Sequence, residues 1–354
     1  MSKARQLADL GSVTTRLDEV GNTDGALSNR NLIINGDMRI HQRSGTIAVT
    51  STSTYTLDRF EARLGGSYTV GVDITQDSDA PDGFANCLKV DVTSTSTPAA
   101  SNNFLIDYKP ESQDMVHLNW GSPNGKYLTM SFWVKSNKTG TYGFSIIHDG
   151  KTRNWLSSYT IDVADTWEYK TILIDPDTST AFDNNNGTSL RILWNLSDGP
   201  DDLTAAHSWE ADGNYQSITG AVNLLDNTSN YWQITGVQLE VGDTATPFEH
   251  RSYGDELARC QRYYYKTSPI THLNVGRLDS GAGVGYAWVP HPVFMRTAPS
   301  MSQSGTWSTG AGYGGVPTFQ NSRVSGVTVR TAAGMSANEI FYLTGGELIG
   351  DAEL

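Results

Sequence analysis

The chain has 354 residues and a net charge of −13, enough length for two or three domains with a sizeable core. Residues 31–250 hold 13 basic and 27 acidic residues, against four and four in 1–30 and eight and seven in 251–354. That acidic middle repels phosphate backbones, which argues against nucleic acid as a partner, and no run approaches the roughly 20 apolar residues of a bilayer span.

In chain order, MSKARQLADLGSVTT has no signal-peptide-like apolar run, so a soluble chain without membrane insertion or export by the usual signal is expected. Leu10, Val13, Leu17 and Val20 follow 3–4–3 spacing, with Leu7 close to the stripe. This is the seam of a short coiled coil. Two heptads are marginal alone, so residues 1–30 either pair with sister copies, dock on a partner, or fray as a terminal helix. GNTDGALSNR then reads as a linker.

Residues 31–250 read as a β-sandwich or barrel of many short strands. In YLTMSFWVK, Leu128, Met130, Phe132 and Val134 share one face, leaving Thr129, Ser131, Trp133 and Lys135 on the other. Tyr142, Phe144 and Ile146 share a face before an Asp149-Gly150 turn, and Leu190, Ile192, Trp194 and Leu196 form another apolar row. WEYKTILI and YWQITGVQLEVG add two strands. Residues 251–265 form a connecting helix and elbow, with Ser252 and Asp255 at capping-box spacing. Residues 266–354 are a smaller, Gly-rich C-terminal β domain, with strands in VGYAWVPHPVFM, SRVSGVTVRT and EIFYLTGG.

Little in the sequence speaks for catalysis. GxSxG, HExxH and phosphate-binding Gly loops do not occur, and the seven histidines are scattered. Loop carboxylates such as Asp149, Asp162, Asp165, Glu168, Asp198, Asp201 and Asp202 are ordinary turn formers. Cys87 and Cys260 are too few for a disulfide framework or a zinc site, and fit folding in a reducing cytoplasm. The chain is expected not to be an enzyme.

NLIINGDMRIHQR, YTLDRF at 55–60, WEYKTILI, ITGVQLEVGDTATPFEHRSYGDELARCQRYY and the final GDAEL together resemble tail-fibre-like virion proteins of tailed bacteriophages. The resemblance covers 31–265 well, the last 90 residues weakly, and 1–30 not at all. It implies a jelly-roll domain similar to carbohydrate-binding modules, a homotrimer, and a virion location after folding in the host cytoplasm. Within the motif, Pro247 removes a backbone donor and forces the chain to turn. Phe248 can bury across that elbow, and Glu249, His250, Arg251 and Asp255 read as polar ties to the next domain.

The resemblance also raises structural Ca²⁺, for which LSDGPDD (196–202) and DITQDSDAPD (73–82) offer clustered carboxylates. Neither matches an EF-hand loop, and solvated turns are the alternative. No other cofactor or metal is expected. Glycan contact uses flat aromatic faces, so Trp133, Trp155, Tyr159, Tyr286, Trp288, Trp307 and Tyr313 are the candidates; packing in the core or at a subunit interface is the competing role. The resulting expectation is an all-β jelly-roll virion protein with a short N-terminal helical segment, joined to tail or capsid proteins through that segment and attaching to host-surface glycan. An adaptor, collar or capsid-decorating protein without receptor contact is one alternative, and a glycan-degrading depolymerase another.

Overall fold

Short runs of β-branched and aromatic residues between turn-forming residues become strands throughout the computed structural model, which describes residues 29–150, 153–204, 209–211, 216–277, 285–309, 316–331 and 341–354. The Leu10, Val13, Leu17 and Val20 seam lies outside the described residues, as does Tyr313. Two compact units emerge: residues up to Arg39 with Gly45–His250, and Ile40–Ser44 with Arg251–Leu354.

The first unit begins with β1 (Ile47–Val49), β2 (Thr54–Tyr55), β3 (Phe60–Gly65), β4 (Gly71–Asp77) and β5 (Cys87–Ser94). It continues through β6 (Asn103–Tyr108), β7 (Leu128–Ser136), β8 (Gly140–His148), β9 (Arg153–Ile161) and β10 (Glu168–Ile174). Then come β11 (Leu190–Asp198), β12 (Leu203–Thr204), β13 (Trp209–Ala211), β14 (Ser217–Ile218) and β15 (Tyr231–Val241). They build two antiparallel sheets, ordered β1-β4-β5-β15-β7-β10 and β13-β9-β8-β11-β6-β3-β2. The chain changes sheet between β1 and β2, between β3 and β4, at each step from β5 to β8, on either side of β10, and again between β13 and β15. The fold is an all-β jelly-roll sandwich, within the sandwich-or-barrel class that the alternating patterns indicate.

Its core is the set of inward faces read from the sequence. Leu128, Met130, Phe132 and Val134 from one sheet meet Tyr142, Phe144, Ile146, Leu190, Ile192, Trp194 and Leu196 from the other, all shut off from solvent. Rings set the packing: Phe132 stands edge-on to Tyr159 at 5.1 Å and to Trp194 at 6.0 Å. The Asp149-Gly150 turn joins β8 to β9 with Gly150 at φ +63° and His148 opposite Arg153.

One strand breaks the alternation. On β15, Trp232 and Ile234 are core residues, but so are Val237, Leu239 and Val241, whose parity is opposite. The slip is a β-bulge between Thr235 and Gln238 in the pairing with β7, with Gly236 at φ +61°. The N-terminal NLIING segment docks on this bulge. Val237 N donates to Gly36 O (2.8 Å), Leu32 N to Leu239 O (2.8 Å) and Leu239 N to the Asn31 side chain (3.1 Å). A Cβ on Gly36 would lie 2.1 Å from Val237 O, so only glycine permits the approach.

YTLDRF forms a tight turn. Phe60 N donates to Leu57 O (2.9 Å), Asn35 Nδ2 to Asp58 O (3.0 Å), and the buried Arg59 guanidinium to Lys109 O. Arg59 also lies 5.3 Å over the Tyr108 ring. A second-layer excursion, the parallel pair β12–β14, presses Ser217 against Gly143 on the outer face of the second sheet.

The second unit comprises α1 (Tyr253–Gln261), β16 (Tyr264–Lys266), β17 (Leu273–Arg277), β18 (Gly285–Pro290), β19 (Ser300–Ser304), β20 (Ser308–Thr309), β21 (Thr318–Arg323), β22 (Gly326–Arg330), β23 (Phe341–Thr344) and β24 (Glu347–Asp351). Ser252 caps α1, accepting from Asp255 N at 3.2 Å. The strands form two sheets, β16-β24-β19 and β20-β23-β17-β18-β22-β21. β16 pairs with β24, so the YYY run and the closing GDAEL are partners across the whole unit. Gln42 Nε2 donates to Tyr264 O (2.7 Å) and Arg43 lies 3.7 Å over the Tyr264 ring, which draws the HQR end of the first motif into this unit. Among the described residues no helix is long and apolar enough to cross a membrane.

Truncating Phe132 to Ala removes a ring packed between two others and is expected to destabilise the first unit by about 3–5 kcal/mol. Leu173→Ala, at a position 46% exposed, is expected to stay within about 0.5 kcal/mol of the parent. Urea denaturation of both variants followed by tryptophan fluorescence checks the pair.

Candidate functional site

The parity that buries Phe132 turns Trp133 outward. Trp133 sits directly opposite Tyr169 of β10 in the ladder, and their rings lie 5.3 Å apart. A second ring group comes from far away in sequence. Phe84, in the β4–β5 loop, packs edge-on against Phe248 at 5.1 Å, and His250 lies 5.4 Å from Phe84 and 4.9 Å from Phe248. Between the two groups is a recess of about 480 Å³, with Ser131, Gly236, Pro247, Gly83 and Asp82 completing its lining.

β15 positions the elbow. Gln238 and Glu240 point away from the core on the same side of the strand. Glu240 accepts from Thr246 N (2.8 Å) and Thr246 Oγ1 (2.6 Å), and Gln238 Oε1 accepts from Glu249 N (2.8 Å). These bonds pin residues 246–249, so Phe248 faces Phe84. Gly236 is the floor, because a Cβ there would lie 2.7 Å from Phe84 Cζ and 3.1 Å from Trp133 Cδ1.

Glu249 accepts from the backbone amides of Asn29 and Asn31, the latter at 2.9 Å, and Arg251 donates to Glu256 at 3.3 Å. The Asp255 carboxylate accepts from the Ser252 hydroxyl at 2.6 Å. The His250 ring is part of the aromatic group.

The other aromatic candidates are dispersed. Trp155 and Tyr159 are not surface residues: they are 4% and 5% exposed and belong to the core. Strand parity puts them opposite Ile146 and Tyr142, and the Tyr159 hydroxyl accepts from Trp232 Nε1 at 3.0 Å. Tyr286 is half-buried on β18, whereas Trp288, two residues on, is 51% exposed and lies over Gly326. Trp307 is half-buried against Gly346, with Nε1 donating to Gln303 at 2.7 Å. Of the six candidates among the described residues, only Trp133 lines the recess. Tyr169, Phe84, Phe248 and His250 are contacts that the sequence reading misses. Tyr169 is legible from the exposed parity of WEYKTILI, and Gly236 from the parity slip in β15. Phe84 lies in a loop without periodicity and carries no signal.

The two acidic runs behave differently. Asp79 is held below the usual carboxylate range by the Lys135 ammonium, 2.7 Å away, helped by the Trp167 indole N–H. In the other run, Asp202 is buried and accepts from Asn103 Nδ2 at 2.9 Å. Both Asp198 carboxylate oxygens are shut off from water without a hydrogen-bond partner, although the rest of the residue is partly exposed. Burial pushes the Asp198 carboxyl up to about 7. The Ser217 hydroxyl opposes that shift from short of full hydrogen-bond geometry, and the charge of Asp202 adds to it. Among the described residues no group of three or more His, Cys, Asp or Glu side chains gathers where it could hold a metal ion. Cys87 and Cys260 are both buried and not joined in a disulfide, and burial pushes the Cys87 thiol up to about 12.

No known protein family and no curated protein matches this chain. Solved structures are loosely similar over about three fifths of the chain. Tailspike protein 4 of bacteriophage CBA120 is 16% identical over 60% of this chain, with a TM-score of 0.32, and the match spans only 21% of that domain's length. The family 11 carbohydrate-binding module of a cellulosomal cellulase of Clostridium thermocellum is 14% identical over 59% of this chain and all of the module, at 0.28. A xylan-binding module of Paenibacillus barcinonensis is 14% identical over 62% of this chain and all of that module, at 0.27.

Because the folded Asp198 carboxyl titrates above its unfolded counterpart, its contribution to stability is complete below about pH 4 and is lost as pH rises through 7. At about 1.4 kcal/mol for each tenfold difference in proton affinity, the loss amounts to several kcal/mol by pH 8. The excess unfolding temperature of Asp198→Asn over the parent is expected to be small near pH 4 and to widen to several degrees by pH 8. Calorimetric scans of both proteins across that range check this.

Proposed function

We propose that this chain is a tail-fibre-like structural protein of a tailed bacteriophage virion, whose jelly roll attaches the particle to host-surface glycan through the Trp133–Tyr169 recess. The recess carries the reading. Sugar rings expose C–H faces that pack on aromatic faces, and recognition sites for them combine such walls with a few polar groups at the rim. Here two groups of rings face outward on an acidic body, with Asp82, Ser131 and His250 beside them.

The role is binding rather than catalysis. Three chains in a homotrimer would turn a weak contact into firm adhesion, because linked sites engage at a high effective concentration. Residues 1–30 would join the chain to its sister copies or to tail and capsid proteins. A purely structural role as an adaptor, collar or decoration protein draws support from Trp288 and Phe294, which are 51% and 71% exposed in the second unit and offer a partner an apolar contact.

Retention of the purified full chain on immobilised bacterial surface polysaccharides tests the reading, with light scattering after size exclusion giving its mass. We expect a mass three times that of the chain, and at least tenfold weaker retention for Trp133→Ala at an unchanged unfolding midpoint. A monomer with no retention would favour the adaptor or decoration role, retention indifferent to Trp133 would remove the recess from it, and shortening of the polymer would mark a depolymerase.

A further inference from the structure

The balance of the recess lining carries more than the general reading. Its walls are the rings of Trp133, Tyr169, Phe84, Phe248 and His250, and its floor is the bare backbone of Gly236. Against these stand one lining carboxylate, Asp82, and two hydroxyls, that of Ser131 and the phenol of Tyr169. The nearby Asp79 is occupied by Lys135 and Trp167. A neutral hexose brings a hydroxyl on almost every ring carbon, and each one buried without a partner is unfavourable. A site so rich in rings and poor in polar groups is mismatched to such a sugar. Charged acidic sugars are disfavoured too, since Asp82 and the net charge of the 31–250 segment have their sign.

We propose that the recess takes the acetamido group of a neutral N-acetylated amino sugar. This rests on the glycan-attachment reading and specifies the ligand of the same site. The acetamido group is flat, so it can lie against an aromatic face, and its methyl is the apolar appendage that the ring walls favour. Its single N–H requires one acceptor, which Asp82 supplies, and its single carbonyl requires one donor, available from Ser131 or His250. The volume of about 480 Å³ falls in the ordinary range of small-ligand sites, roughly 300–1,000 Å³. Gly236 keeps the floor open, because any side chain there would meet Phe84 and Trp133.

Saturation-transfer NMR on the full chain reads this contact directly and tolerates weak binding. The probes are the methyl glycosides of N-acetylglucosamine and N-acetylgalactosamine, each beside its parent hexose glycoside. The acetamido methyl should receive the strongest saturation, the parent hexoses should bind at least tenfold more weakly, and Trp133→Ala should abolish the methyl signal at an unchanged unfolding midpoint. Equal binding of the parent hexoses, lost in Trp133→Ala, would overturn the acetamido assignment and leave the glycan reading standing. Saturation that survives Trp133→Ala, or none with any of the four sugars, would overturn the inference. In the latter case, retention on whole polysaccharide decides separately whether the broader reading also falls.

Discussion

The β-bulge at Gly236 is the constraint on which the first unit turns. One extra residue in β15 changes which side chains face the core, so Val237, Leu239 and Val241 continue inward where strict alternation would have turned them out. The same residue turns Gln238 and Glu240 outward, where they hold the elbow through Thr246 and Glu249. It also receives the N-terminal segment, since Gly36 and Asn31 bond to the backbone at and beyond the bulge. Closure of the sandwich, the path of the elbow and the floor of the recess therefore share one local cause.

That cause relates two of the sequence motifs to one another. NLIING and ITGVQLE lie some two hundred residues apart yet form one hydrogen-bonded contact, and ATPFEH is the segment that contact positions. CQRYYYK and GDAEL are likewise strand partners in the second unit. Motifs of this kind are halves of long-range pairings, so each looks unexplained when read alone.

Buried polarity takes two forms in the first unit. Glu240 and Gln238 spend their side-chain oxygens on hydrogen bonds to Thr246 and Glu249, and the elbow is correspondingly well determined. Under the β12–β14 pair, Asp198 is buried with its oxygens unpartnered, and its proton affinity rises to compensate. The second arrangement makes stability sensitive to pH.

The sequence by itself determined what depends on near neighbours. Alternation in YLTMSFWVK and SLRILWNLS put the right side chains in the core and left Trp133 outside, because successive residues of a strand point to opposite faces. The Asp149-Gly150 turn and the Ser252 cap were legible because turn chemistry and capping depend on residues adjacent in sequence. The polarity of their stretch points Trp155 and Tyr159 outward, but cross-strand partners, Ile146 and Tyr142, decide that they lie inside. Only the tertiary structure could assemble the recess, since its rings come from residues 84, 133, 169, 248 and 250. Nothing in local spacing relates those positions; the bulge and the sheet register bring them together, and both are set by pairings between distant strands.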